Sequence, residues 1–454
     1  MTFLSRPTQY KLQSLATGSI FEDTGWLLDP PGETSPSLIR AIYQHQQLNE
    51  KDDKYGLYKF ADWLPFNRFL EGSEAPLTYK SKHLAQFLKL ENLYVTYNGY
   101  WPEKGIEMPS CSFKETEAYS VCARMNGDNS KILVVASAGN TARAFARVCS
   151  DNNIPLLLCI PEDCLDVMWF DRPINNDNVK LIVTAKGSDY YDAIHLSAIA
   201  ASFDPFIPEG GAKNIARRDG MGTTVLSATT YIGRIPDYYF QAVGSGTGAI
   251  SAWEANLRLI ADGRFGNHKM KLMVSQNEPF VPLHQAWKVK SRQLLPFDDE
   301  TARRELDQID AKVLSNRRPP YSITGGLFDA LTDSNGEVLT VNNQKVREAA
   351  ALFEQLEGID IHPASGVATA SLIEWVQKNS IDKDAIIMLN ITGGGEERFK
   401  KEKKLFYMKP DLVFGNNPDT NEVKRKLEKL FAKKITLFAN HFSLPKVSQS
   451  SDNR

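Results

Sequence analysis

Short apolar runs alternate with helix-like stretches through the middle of the chain. KILVVA (131–136), PLLLCIP (155–161), KLIVTA (180–185), DYYFQAVG (237–244), KLMVSQ (271–276) and AIIMLNIT (385–392) each read as a buried strand. Between them, TARAFARVCSDN, YYDAIHLSAIAASF and AISAWEANLRLIADG carry helical patterns. Continuous apolar strands alternating with helices predict α/β architecture, with mostly parallel sheet covered on both faces. In such sheets a ligand sits beyond the carboxyl ends of the strands, near the point where strand order reverses.

The flanks follow other rules. Residues 1–75 read as an irregular extension packed on the main body, with a turn signal at Asp29-Pro30-Pro31-Gly32 and a helix-like stretch at Pro36–Leu48. Residues 296–350 are richer in charge and turn residues and suggest an insertion or a crossing segment. Near the end, EVKRKLEKLFAKK predicts a helix, and the polar KVSQSSDNR after it predicts disorder.

Composition narrows the function classes. The 454 residues carry a formal charge of −2, so the chain as a whole has no electrostatic footprint for nucleic acid. No apolar run approaches the roughly 18 residues that span a bilayer. The start, MTFLSRPTQYKLQS, lacks the apolar core of a secretory signal, so a cytoplasmic protein is expected. Five cysteines (Cys111, Cys122, Cys149, Cys159 and Cys164), with no CxxC pair and no histidines at ligand spacing, predict free thiols and no metal.

Four segments carry candidate chemistry. Gly244-Ser245-Gly246-Thr247-Gly248 follows a strand and opens a helix, where backbone amides suit a phosphate, although a plain tight turn fits as well. Its GxGxG spacing is not the GxGxxG of a dinucleotide site, and no acidic ribose partner follows. Ser112 and Glu115 have capping-box spacing, which places Lys114 in a helical first turn. There it is either a tolerated surface lysine or an amine kept partly neutral for Schiff-base chemistry. Ala136-Ser137-Ala138-Gly139-Asn140-Thr141 is a strand-to-helix turn in which Ser137 or Asn140 can also be a simple cap. Asn390-Ile391-Thr392-Gly393-Gly394-Gly395 ends the last apolar strand.

In this order the four segments resemble the tryptophan synthase β-like group, the fold type II pyridoxal-phosphate enzymes. Within it the chain looks most like the cysteate synthase family, relatives of threonine synthase. TYKSKHLA (78–85), GYWPEKG (99–105), CSFKE (111–115), ASAGNTARAFA (136–146), PEGGAKNIARRDGMGT (208–223), DYYFQAVGSGTGAISAWEA (237–255), PPYSITGGLFDAL (319–331) and LFEQLEGIDIHPAS (352–365) carry the likeness, over roughly 77–395. Some relatives have a CxxC knuckle near the start; this chain has none.

The resemblance implies two domains, each a twisted, mostly parallel sheet flanked by helices, with pyridoxal 5'-phosphate in the cleft between them. Residues 77–112 and 225–415 would form the large cofactor domain and 113–224 the small one. An extension (1–76) and a helix with a disordered tail (416–454) would flank them. It makes Lys114 the Schiff-base lysine and base at Cα, and Asn140 the partner of the cofactor's ring oxygen. The 244–248 amides would hold the phosphate, and Thr392 would meet the pyridine nitrogen. The substrate carboxylate would lie against Ser137, Ala138, Gly139, Asn140 and Thr141. Arg217 would receive the substrate phosphate, assisted by Lys213 and Lys104, while Arg218 is expected to pair with Asp219. The implied reaction is β-replacement: O-phospho-L-serine and sulfite give L-cysteate, used for coenzyme M or sulfonolipid synthesis, and phosphate. The alternatives are threonine synthesis from O-phosphohomoserine, a sulfide-using phosphoserine sulfhydrylase, or a non-catalytic ligand-binding paralogue. A homo-oligomer, most simply a dimer, is implied as well.

Overall fold

The computed structural model describes residues 7–137, 139–415, 417–432 and 434–435. Two sheets organise the chain. The larger runs in the order Glu337–Val341, Lys271–Asn277, Tyr238–Ala242, Ile387–Ile391, Leu93–Tyr97, Leu77–Lys80. It is parallel except for Leu77–Lys80, which lies antiparallel at one edge. The smaller sheet is wholly parallel, in the order Phe206–Pro208, Ile132–Ala136, Leu156–Pro161, Val179–Thr184, Leu412–Phe414.

Each apolar run singled out by its pattern is a strand. Leu156–Pro161 and Ile387–Ile391 are buried along their whole length, as sheet covered on both faces requires. Helices Lys114–Arg124, Ile215–Ile232 and Thr247–Asp262 pack in succession, the middle one against both others. The first two cross so closely that a Cβ on Gly220 would fall 2.3 Å from the carbonyl oxygen of Thr116. Only glycine admits that approach, which brings Arg217 alongside the Lys114 helix.

Several expectations change. The extension is not irregular: Tyr10–Ser14, Ile20–Phe21 and Ile39–Tyr43 form an antiparallel sheet. The helix-like Pro36–Leu48 therefore holds a strand. Its alternating burial, facing Tyr10–Ser14 residue by residue, outweighs a helical spacing that has no apolar face to dock. Leu412–Phe414, assigned above to the large domain, pairs with Val179–Thr184 of the smaller sheet, because its apolar side chains complete that sheet's edge. The segment 296–350 contributes a strand, Glu337–Val341, to the large sheet. The helix near the end spans Thr420–Leu430 and packs Val423 and Leu427 on the smaller sheet; the tail expected to be disordered, 446–454, lies outside the described residues.

The extension also has a mechanical role. Its Trp26 indole donates to the Pro208 carbonyl at 2.7 Å, Tyr43 donates to Asp219 at 2.6 Å, and Arg40 pairs with Glu254 at 3.2 Å. It therefore holds the strand Phe206–Pro208, the helix that carries Arg217 and the helix Thr247–Asp262. Among the described residues no helix is long and apolar enough to cross a membrane.

Candidate active site

Strand ends from both sheets converge on one cleft with about 920 Å³ of empty space, part of it open to solvent. From the smaller sheet, Ile132–Ala136 delivers Ser137, Gly139, Asn140 and Thr141. From the larger, Tyr238–Ala242 delivers Gly244, Ser245, Gly246 and Gly248, and Ile387–Ile391 delivers Thr392. Those two neighbouring strands mark the reversal of strand order in the larger sheet, where a ligand is expected. Lys114 and Arg217 enter from the two crossing helices.

The glycine loop is backbone engineering. Gly246 has φ +78°, and a Cβ on Gly248 would fall 2.4 Å from the Gln241 amide nitrogen. Side chains are excluded, so the start of helix Thr247–Asp262 presents bare amides to the cleft, and Ser245 Oγ lies 2.9 Å from Thr247 Oγ1.

Lys114 is the first residue of its helix, as expected, but the capping box does not form. The cap position is Phe113, and the Glu115 carboxylate reaches back to the Ser110 amide at 2.6 Å. Ser112 is occupied instead by a bridge to Gly393, and the Phe113 amide donates to the Thr392 carbonyl at 3.0 Å. The Lys114 segment is thus stitched to the Thr392 loop. The amine lies 3.0 Å from Glu117 Oε2, one helical turn on. Burial lowers the Lys114 pKa, the Arg217 charge adds to that, and Glu117 opposes both.

Glu117 bridges two cations. Its other oxygen lies 3.0 Å from Arg217 Nη2, while Arg217 Nη1 lies 2.5 Å from Glu209 Oε2. Burial disfavours the Arg217 charge, but the two carboxylates hold its pKa above the ordinary value; burial likewise raises that of Glu209. Two basic and two acidic side chains form one largely buried cluster whose formal charges cancel. Sequence reasoning found Arg217 and missed both carboxylates. The Glu117 signal was its three-residue spacing from Lys114; Glu209 had none.

Opposite this cluster, Asn140 Oδ1 accepts from Arg143 Nη2 at 2.9 Å, and His362 lies 2.9 Å from Glu396. Val313–Asn316, from the segment read as an insertion, lines another side of the cleft, with Tyr190 and His362. Thr247 is buried beside the cleft rather than lining it, and Ala138 lies outside the described residues.

Two expected assistants sit elsewhere. Lys213 is paired at the surface with Asp29 at 2.6 Å, and Lys104 stacks over the rings of Tyr79 and Trp101. The expected Arg218–Asp219 pair is absent too. Arg218 is buried against Glu254 at 2.9 Å and Asp219 pairs with Arg258, since successive helical positions point to different neighbours. The five cysteines carry free thiols, and among the described residues no group of three or more His, Cys, Asp or Glu is placed to hold a metal.

The donor set suits a phosphorylated pyridine aldehyde: an amine of lowered pKa, a helix terminus stripped of side chains, a carboxamide and a hydroxyl. Comparisons with known proteins agree. The family model for pyridoxal-phosphate dependent enzymes matches residues 104–393. Proteins named cysteate synthase from Methanosarcina acetivorans and Methanosarcina mazei are each 45% identical, over 397 and 387 residues. The matches cover 87% and 85% of this chain, and 94% and 92% of theirs. In fold, the chain is similar to maize serine racemase, with TM-score 0.53 and 12% identity over 79% of this chain and 93% of that one. The α/β arrangement with parallel sheets is that of fold type II.

Proposed function

The chain belongs to the pyridoxal-phosphate dependent enzymes, and from that premise we infer that it is a cysteate synthase, replacing the phosphate of O-phospho-L-serine by sulfite. The observation that carries this reading is the meeting in one cleft of Lys114, Asn140, the 244–248 loop and Thr392, four stretches far apart in sequence.

When bound, pyridoxal phosphate supplies the electron sink that makes the substrate Cα–H acidic. The remaining work falls to the chain. Lys114, Asn140, the 244–248 amides and Thr392 would hold the cofactor. Lys114 Nζ removes the Cα proton, and its lowered pKa raises the fraction able to do so. Glu117 Oε2, at 3.0 Å, holds the amine in place. The amides at the start of helix Asn140–Asp151 face a substrate carboxylate, and the Ser137 hydroxyl fixes the turn by accepting from the Gly139 amide at 3.1 Å. Arg217 is the cation nearest in role to the substrate phosphate. Its Nη2 and Nη1 are paired with Glu117 and Glu209, and Nε, which has no hydrogen-bond partner among the described residues, is the donor left for the phosphate. We place the enzyme in the cytoplasm as a homodimer, which light scattering on purified protein tests.

The purified protein loaded with pyridoxal phosphate is expected to absorb in the visible and to bleach with borohydride; Lys114→Ala loses that chromophore. Feeding O-phosphoserine with sulfite, sulfide or water, and O-phosphohomoserine separately, then measuring phosphate and amino acid, tests the substrates. Turnover of O-phosphohomoserine alone overturns the assignment, and a wild-type chain that takes up no cofactor overturns it altogether.

A further inference from the structure

Arg143 stands one turn into helix Asn140–Asp151, and its side chain is 2% exposed. Nη2 donates to Asn140 Oδ1 at 2.9 Å, to the Ser110 carbonyl at 3.0 Å and to Glu396 at 3.2 Å. Nη1 donates to the Val167 carbonyl at 3.1 Å, and the guanidinium lies 3.8 Å from the centre of the Trp169 ring. Glu396 is held in turn: it meets His362 at 2.9 Å and Lys400 at 2.6 Å. One buried cation thus ties together the Asn140 turn, the backbone four residues before Lys114, and the helix Glu396–Glu402 that follows the Thr392 loop.

The consequence falls on Asn140. A carboxamide has two nearly isosteric ends, and an exposed one can present either. Here a charged donor holds the oxygen on its own side, which turns the Nδ2 end toward the cleft as a donor of fixed orientation. We propose that Arg143 is a positioning residue that locks the Asn140 amide with its N–H groups toward the cofactor, acting through Asn140 and not on the cofactor itself. A lysine at 143 brings charge without the planar fork and cannot serve Asn140, Ser110 and Val167 together.

The proposal rests on the reading above that Asn140 contacts the cofactor ring, and the experiment separates the two. Wild type, Asn140→Ala, Arg143→Lys and the double variant are loaded with pyridoxal phosphate. The visible spectrum, its pH titration and the cofactor dissociation constant are then measured, with melting temperature as the record of folding. Losing one charge-assisted hydrogen bond predicts cofactor binding weaker by about tenfold for Asn140→Ala and for Arg143→Lys. Each should also shift the titration of the chromophore. In the Asn140→Ala background, Arg143→Lys is expected to add nothing to either shift. Glu396→Gln, which leaves the guanidinium in place, should retain most of the wild-type spectrum. If Arg143→Lys lowers only the melting temperature, or shifts the spectrum equally with and without Asn140, the positioning role is wrong. If Asn140→Ala itself leaves spectrum and affinity unchanged, the contact assigned to Asn140 is wrong, and the proposal falls with it.

Discussion

The cleft has two walls built on different principles. One, the 244–248 loop with its helix, is made of backbone: side chains are removed so that amides can face a ligand. The other, where helices Lys114–Arg124 and Ile215–Ile232 cross, is made of charged side chains that neutralise one another. A backbone wall is finished as soon as the strand and helix fold. A charged wall exists only after two helices dock, and its charges are paired with one another while Arg217 Nε has no hydrogen-bond partner among the described residues. The first is therefore suited to a resident group, the second to partners that come and go.

The sharpest way to break the comparison is to put a side chain into the backbone wall. Gly248→Val should raise the dissociation constant for pyridoxal phosphate by about tenfold or more, since the added carbons overlap Gln241. Equilibrium dialysis or the visible spectrum reads this directly; unchanged binding would mean that the loop does not carry the phosphate.

Arg217→Ala attacks the charged wall. The chromophore should persist while KM for O-phosphoserine rises by about tenfold. Stability should fall as well, because Glu117 and Glu209 lose their shared cation in a buried setting. A fallen melting temperature with an unchanged KM would make Arg217 a scaffold and leave the phosphate to other donors.

The smallest effect concerns Glu115, at the foot of the Lys114 helix. Burial pushes its carboxyl up to about 8 from 4.5, only partly offset by the Ser110 amide. A carboxyl whose folded pKa is raised favours the folded state most below about 4.5, and that contribution is lost as pH rises toward about 8. Melting temperature should therefore decline across this range in the wild type and decline less in Glu115→Gln. Parallel curves would remove Glu115 from the pH dependence.

The same contrast explains what could be read from the sequence. The six apolar runs, the glycine spacing and Lys114 at a helix start are local signals, and each stands where its pattern placed it. Leu93–Tyr97, which mixes tyrosine and threonine with its apolar residues, and the three-residue Leu412–Phe414 escaped because short or mixed strands are defined by their neighbours. The carboxylates at Glu117 and Glu209 escaped for the same reason. Nothing local in PEGGAKN announces that Glu209 will clamp Arg217, and the Ser112–Glu115 spacing announced a cap that Gly393 pre-empts. The resemblance supplied roles for the site residues, but Lys104 and Lys213 show that proximity in a shared motif is not proximity in the cleft.

The strand Leu412–Phe414 has one more consequence, for the order of assembly. The smaller sheet is otherwise complete by Pro208, yet its edge beside Val179–Thr184 stays open for some two hundred further residues of synthesis. Leu93–Tyr97 waits similarly for Ile387–Ile391 before its central pairing can form. Both sheets are closed by the last part of the chain, so folding is dominated by distant pairings and should be slow. Until then a nascent chain exposes an apolar parallel edge of the kind that recruits wrong partners.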